Sequence, residues 1–139
     1  MAFSNDDISI NSLIGTDSFI EGNLKISGQI RIDGDIRGNI ECSGNIMIGE
    51  KARIHGNITA KSAIIGGIVE GDVFAPEGIQ LFSSATVLGD VISKAVQLAD
   101  GVLFDGYCIA LKDESSFEKA RADWLDRKAI DQRLANAEY

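Results

Sequence analysis

The chain has 139 residues, 45% of them hydrophobic, and its 13 Lys and Arg against 21 Asp and Glu give a formal charge of -8. That length suits a single domain with its own core, and the acidic balance argues against nucleic acid as a partner and disfavours anionic lipid surfaces. No apolar run approaches the ~20 residues of a membrane-spanning helix, and the start MAFSNDDISINS lacks the basic and apolar segments of a signal peptide, so a cytoplasmic location is expected.

Residues 1–14 are polar and acidic without a clear period and are expected to form a flexible N-terminal arm. Its apolar tip, Met1, Ala2 and Phe3, is a candidate membrane contact, though three side chains offer little insertion energy and Asp6 and Asp7 follow. A plain disordered end is the competing reading.

Residues 15–111 repeat. IEGNL at 20–24, IRGNI at 36–40, IHGNI at 54–58, VEGDV at 69–73, VLGDV at 87–91 and a degraded FDGYC at 104–108 return at spacings of 16, 18, 15, 18 and 17. Apolar residues flank a central glycine at i and i+4, and the alternation often continues outward, which is a strand period. Glycine every few residues keeps each strand short. A parallel β-helix of about six coils of ~17 residues satisfies both demands, with three short strands per coil around a narrow interior. Like side chains then stack: Ile20, Ile36, Ile54, Val69, Val87 and Phe104 form one inward column, and Leu24, Ile40, Ile58, Val73, Val91 and Cys108 another. Asn23, Asn39, Asn57, Asp72 and Asp90 point the other way and are expected to form an exposed, turn-supporting ladder. A calcium-binding edge is the alternative, but the GGxGxD nonapeptide is absent. Asp33-Gly34, Asp100-Gly101 and Asp105-Gly106 keep an antiparallel, hairpin-linked architecture open as the minor alternative. Cys42 and Cys108, four coils apart, are too distant for a disulfide and are expected to be core filler.

Residues 112–139 switch to helix formers: ESSFEKARADWLDRKAIDQRLANAEY. Ser115 and Glu118 match a capping box. Phe117, Ala120 and Trp124 share one face of a helix that is amphipathic in its first half and polar later. It either folds back over the last coil or docks on a partner.

Catalytic, metal and cofactor sites are not expected. The single histidine, His55, sits between inward Ile54 and Gly56 and so points outward in an ordinary repeat unit, a poor candidate for the base of an acyltransferase. The hexapeptide signature of β-helical acyltransferases fails, because glycine falls two residues after the aliphatic, and no phosphate-binding glycine loop occurs. What remains is a solenoid with open ends. Phe19, Ile20 and Leu24 at the start, and Val102, Phe104 and Cys108 at the finish, leave the interior without a charged cap. Unpaired strand edges and an open apolar core favour end-to-end self-association into a homopolymer.

The run SLIGTDSFIEGNLKISGQIRIDGDIRGNI, with the later ARIHGNITA, IVEGDVFA, ATVLGDV and GVLFDGYC, resembles the bactofilins, bacterial cytoskeletal proteins, over roughly residues 12–110. The resemblance implies a right-handed hand for the β-helix, which spacing alone leaves open. It also implies nucleotide-independent, non-polar filaments joined through like ends, with the end-contact aromatic at Phe104, and a position on the cytoplasmic face of the inner membrane. There such filaments position cell-wall or morphogenesis factors. A binding scaffold that does not polymerise, working through its laddered faces or C-terminal helix, is the alternative function.

Overall fold

The computed structural model describes residues 12–137. All strand pairs within them are parallel, in three six-stranded sheets that wind as six coils. The first sheet comprises Ser12–Ile14, Ile30–Ile32, Asn45–Ile48, Ser62–Ile65, Gly78–Leu81 and Val96–Leu98. The second holds Phe19–Glu21, Asp35–Arg37, Arg53–His55, Ile68–Glu70, Thr86–Leu88 and Leu103–Asp105. The third holds Leu24–Ile26, Ile40–Cys42, Ile58–Thr59, Val73–Phe74, Val91–Ser93 and Cys108–Ala110. Ser12–Ile14, which the sequence places in the arm, therefore open the first coil. Met1, Ala2 and Phe3 lie outside the described residues.

Register matches both expected columns position for position. Ile20, Ile36, Ile54, Val69, Val87 and Phe104 are successive partners on the second sheet. Leu24, Ile40, Ile58, Val73, Val91 and Cys108 are partners on the third. The first sheet completes the interior with Ile30, Ile32, Ile46, Ile48, Ile65 and Leu81, all buried. Each such side chain contributes roughly 1.5–3 kcal/mol by leaving water. Hairpins are excluded by the parallel pairing, and the Asp-Gly dipeptides fall at corners or strand ends.

One corner is invariant. Between the second and third sheets the inward residues are always four positions apart, as in Ile54 and Ile58 or Val87 and Val91. The glycine between them stacks on its copy in the previous coil: a Cβ on Gly56, at φ +156°, would sit 2.0 Å from the carbonyl oxygen of Gly38. Beside that stack the Asn/Asp ladder is bonded. The Asn23 side-chain oxygen accepts the Asn39 amide N–H at 2.9 Å, Asn39 accepts that of Asn57, Asn57 that of Asp72, and Asp72 that of Asp90. Asp90 accepts the N–H of Tyr107, which ends the series. These oxygens thus tie one coil to the next. The corner between the first and second sheets does vary, spanning four positions from Ile32 to Ile36 and six from Ile48 to Ile54, so the unequal repeat lengths arise there and at the return to the first sheet.

A helix, Glu114–Ala137, follows the last strand. Its N-cap is Asp113, whose carboxylate accepts the Ser116 amide N–H at 2.9 Å and the Ser115 hydroxyl at 2.7 Å. The expected capping box at Ser115 is therefore displaced by two residues, because Asp113 already satisfies the first-turn donor. The helix also does not close the last coil. It lies across the outer face of the third sheet: Lys94, just after the strand Val91–Ser93, pairs with Glu114, while Asp90, just before it, binds Trp124. The helix consequently runs opposite to the strands beneath it.

The sequence beneath explains the position. Outward residues of the third sheet are Lys25, Glu41 and Thr59 in the first three coils, then Phe74, Ile92 and Ile109. Phe117 is buried against this apolar strip, 6.2 Å from the Phe74 ring, and Ile92 is fully buried. Arg121 lies over the Phe74 ring at 4.9 Å. At 24 residues, ~36 Å at 1.5 Å per residue, the helix outruns the sheet, leaving Ile130 and Leu134 exposed.

Candidate assembly interface

The interior is sealed along its length and open at both ends. From the second coil to the fifth the stacked aliphatics are buried, whereas Ile14, Ile20, Leu24 and Ile26 of the first coil, and Val96, Val102 and Phe104 of the last, are only half-buried. No coil covers them, and the outer edges of the six terminal strands have no backbone partner among the described residues. Cys108 continues an inward column yet is exposed for the same reason, which corrects its expected burial; Cys42 is buried, and both are free thiols.

The candidate end residues thus form two groups. Val102, Phe104 and Cys108 gather at one end, Ile20 and Leu24 at the other, separated by five coil intervals or ~24 Å at ~4.8 Å each. Phe19 belongs to neither interior, since strand alternation turns it outward onto the second sheet, 61% exposed. Ile14, Ile26 and Val96 join the ends although the repeat does not reveal them. Ile14 falls before the first IxGN unit, and Ile26 and Val96 fall outside the five-residue pattern.

The helix-covered face carries two charges shifted by burial and pairing, Asp90 and Lys128. Asp90, expected in an exposed ladder, is buried beneath the helix, only 6% exposed. Its Oδ2 accepts the Trp124 indole N–H at 2.7 Å and lies 3.3 Å from Lys128 Nζ, which also reaches Asp72 at 3.4 Å. Burial pushes the Asp90 carboxyl up, but the bonds from Tyr107, Trp124 and Lys128 together outweigh it and hold the group below the usual carboxylate range. Burial likewise lowers Lys128, and its two carboxylate partners more than restore it. The ladder changes from Asn to Asp where this lysine lands.

His55 lies on the exposed second sheet with Nδ1 2.8 Å from a Glu70 carboxylate oxygen, an ordinary cross-strand pair in register. Among the described residues no group of three or more His, Cys, Asp or Glu side chains is placed to hold a metal ion, and no helix is long and apolar enough to cross a membrane.

Three parallel sheets wound by one chain around an apolar interior, with both terminal coils uncovered, define a β-solenoid with two open ends. The chain belongs to the bactofilin family, described as polymer-forming and cytoskeletal, which it matches over residues 12–109. It is 28% identical over 96 residues to bactofilin BacP of Myxococcus xanthus and 25% identical over 96 residues to bactofilin BacO of the same organism. Each match covers 69% of this chain; it spans 40% of BacP and 76% of BacO, so the chain matches well under half of the first relative. Among solved structures it resembles Thermus thermophilus bactofilin in double helical filaments, with a TM-score of 0.68 at 29% identity, covering 71% of this chain and 98% of that one. A crystal structure of a phenylalanine-to-arginine mutant of the same protein gives a TM-score of 0.60 at 28% identity, covering 63% and 98%.

Proposed function

We propose that this chain polymerises end to end, without nucleotide or other cofactor, into cytoskeletal filaments that scaffold cell-wall or morphogenesis factors at the cytoplasmic face of the membrane. The observation that carries the reading is the pair of uncovered terminal coils, each offering an apolar interior and three unpaired strand edges. Stacking a second copy continues both. Val102, Phe104 and Cys108 meet their like at one junction, and Ile20 and Leu24, with Phe19 at the rim, meet theirs at the other. Each side chain so buried adds roughly 1.5–3 kcal/mol, and edge pairing needs no bound ligand. The filaments of the Thermus relative are double helical, and we carry that two-stranded form to this chain. Membrane contact through Met1, Ala2 and Phe3 is weak in one subunit and gains strength by repetition along a polymer.

Electron microscopy of the purified protein without nucleotide is expected to show filaments. Phe104→Arg places a charge in a contact that must lose water. It is expected to abolish filaments while the β-rich circular dichroism stays unchanged, because the position is only half-buried within the subunit. Monodisperse wild-type monomers at high concentration, or filaments that survive the substitution, would refute the end contact.

A further inference from the structure

The family match stops at residue 109, so the helix Glu114–Ala137 lies outside it. The two flanks of this helix differ in what they touch. Lys128 faces the sheet, paired with Asp72 and Asp90 of the fourth and fifth coils. Leu125 turns toward the third coil, where it shares a groove with Thr59. Arg127 turns the other way, its guanidinium 5.5 Å from the centre of the Tyr107 ring in the last coil. Ile130 and Leu134 follow Arg127 by three and seven positions, which puts all three on one stripe of the helix. Asp123 precedes them on that flank, over the sheet, whereas residues 129–137 run on past the strand starts for about 13 Å at 1.5 Å per residue. The projecting turns thus present an apolar pair, 56% and 61% exposed, on the side of the open last coil.

We propose that this projecting end is a clasp across the junction between two last coils, where Ile130 and Leu134 close on the rim of a second copy. The inference rests on the filament reading above and concerns one of its two junctions. A second copy is the occupant because the flank continues the open end: Arg127 already stands level with the last coil, and a stacked coil begins only ~4.8 Å beyond it. The rim it meets is largely apolar. Leu103, Tyr107 and Leu111 are exposed around the Val102, Phe104 and Cys108 interior. Asp105 is the one carboxylate on the three strands of that coil, and Arg127 supplies a counter-charge on the helix.

Stacking of like ends makes the contact reciprocal, each helix reaching the other subunit. The first coil exposes Leu13 and Phe19 at its rim but has no helix to reach across, since the helix lies over the fourth and fifth coils. The junction between last coils is therefore the tighter one, and the dimer it forms is the unit that polymerises.

The test separates the two junctions and reads each by sedimentation equilibrium. Leu24→Arg places a charge between first coils and Phe104→Arg places one between last coils, with circular dichroism as the check of fold in each. The Leu24→Arg protein is expected to be a dimer, tighter than that of Phe104→Arg. Adding Leu134→Glu, at an exposed position, should weaken the Leu24→Arg dimer at least about tenfold, because two buried leucines are lost per junction. The same addition should leave association of the Phe104→Arg protein unchanged. A Leu24→Arg dimer that ignores Leu134→Glu, one no tighter than the Phe104→Arg dimer, or equal weakening in both backgrounds would overturn the clasp while leaving end-to-end assembly intact. Two backgrounds that both stay monomeric at high concentration would remove the filament reading and the clasp with it.

Discussion

Gly56 and Gly15 carry the same side chain, a hydrogen, for opposite reasons. At Gly56 the left-handed φ of +156° and the Gly38 carbonyl oxygen 2.0 Å from any Cβ forbid a larger residue, whereas nothing lies within 4 Å of a Cβ at Gly15. Gly56→Ala should therefore cost upwards of about 3 kcal/mol, from strain plus displaced backbone. Gly15→Ala should fall within about 0.5 kcal/mol of wild type. Thermal unfolding of the two variants side by side reads the difference directly. The repeat that revealed the fold is the sequence trace of this geometry, since the stacked corner compels a glycine at every pass and the columns on either side compel aliphatics. Tyr107 shows where the trace weakens: it takes the ladder position in the last coil, where no further amide needs an acceptor.

The C-terminal helix was legible as a helix but not in its place. Its address is written in the strands, where Leu24-Lys25, Ile40-Glu41 and Ile58-Thr59 alternate while Val73-Phe74, Val91-Ile92 and Cys108-Ile109 do not. An outward apolar strip of three residues needs a cover, and an amphipathic helix a few residues downstream supplies it. Deleting residues 113–139 should leave the strands folded but expose Phe74, Ile92 and Ile109, and binding of a hydrophobic dye should rise sharply. Docking should also respond to acid. A carboxyl held below its ordinary value of 3.8 stabilises the folded state above that value, and this contribution disappears as pH falls through the depressed one. Lys128, raised above 10.5, contributes below that value and loses its contribution as pH climbs through the raised one. Trp124 emission should hold steady between these limits and shift to the red in acid below pH 3.8, a shift that Asp90→Asn should largely remove.

At the scale of the whole molecule, the two ends and the three walls expose different surfaces. Ends with half-buried aliphatics and open strand edges suit axial joints, whereas the walls mix charged side chains with exposed apolar ones such as Leu13, Phe19, Leu88 and Leu103. Ile20, Leu24, Val102, Phe104 and Cys108 were readable as uncovered because an uncapped repeat leaves its first and last members without a neighbour, whereas Ile14, Ile26 and Val96 lie outside the repeat unit and were not. The walls were less readable: Phe19 and Leu103 alternate outward, and only the strand register shows which of them stand together. Raising salt is expected to leave end-to-end filaments in place, because the proposed axial joints bury apolar surface rather than pair exposed charges. Measuring filament length by electron microscopy across a salt series checks it.

The corner spacing also says where this protein can be lengthened. With its partners four positions apart in every coil, the glycine corner behaves as a rigid spine, and one inserted residue there would throw each later winding out of step. The opposite corner already alternates between short and long passages, so it has slack to spare. A peptide tag or reporter spliced between Gly49 and Ala52, or between Phe82 and Ala85, would hang outside the winding as one more long passage, giving a labelled rod of unaltered pitch.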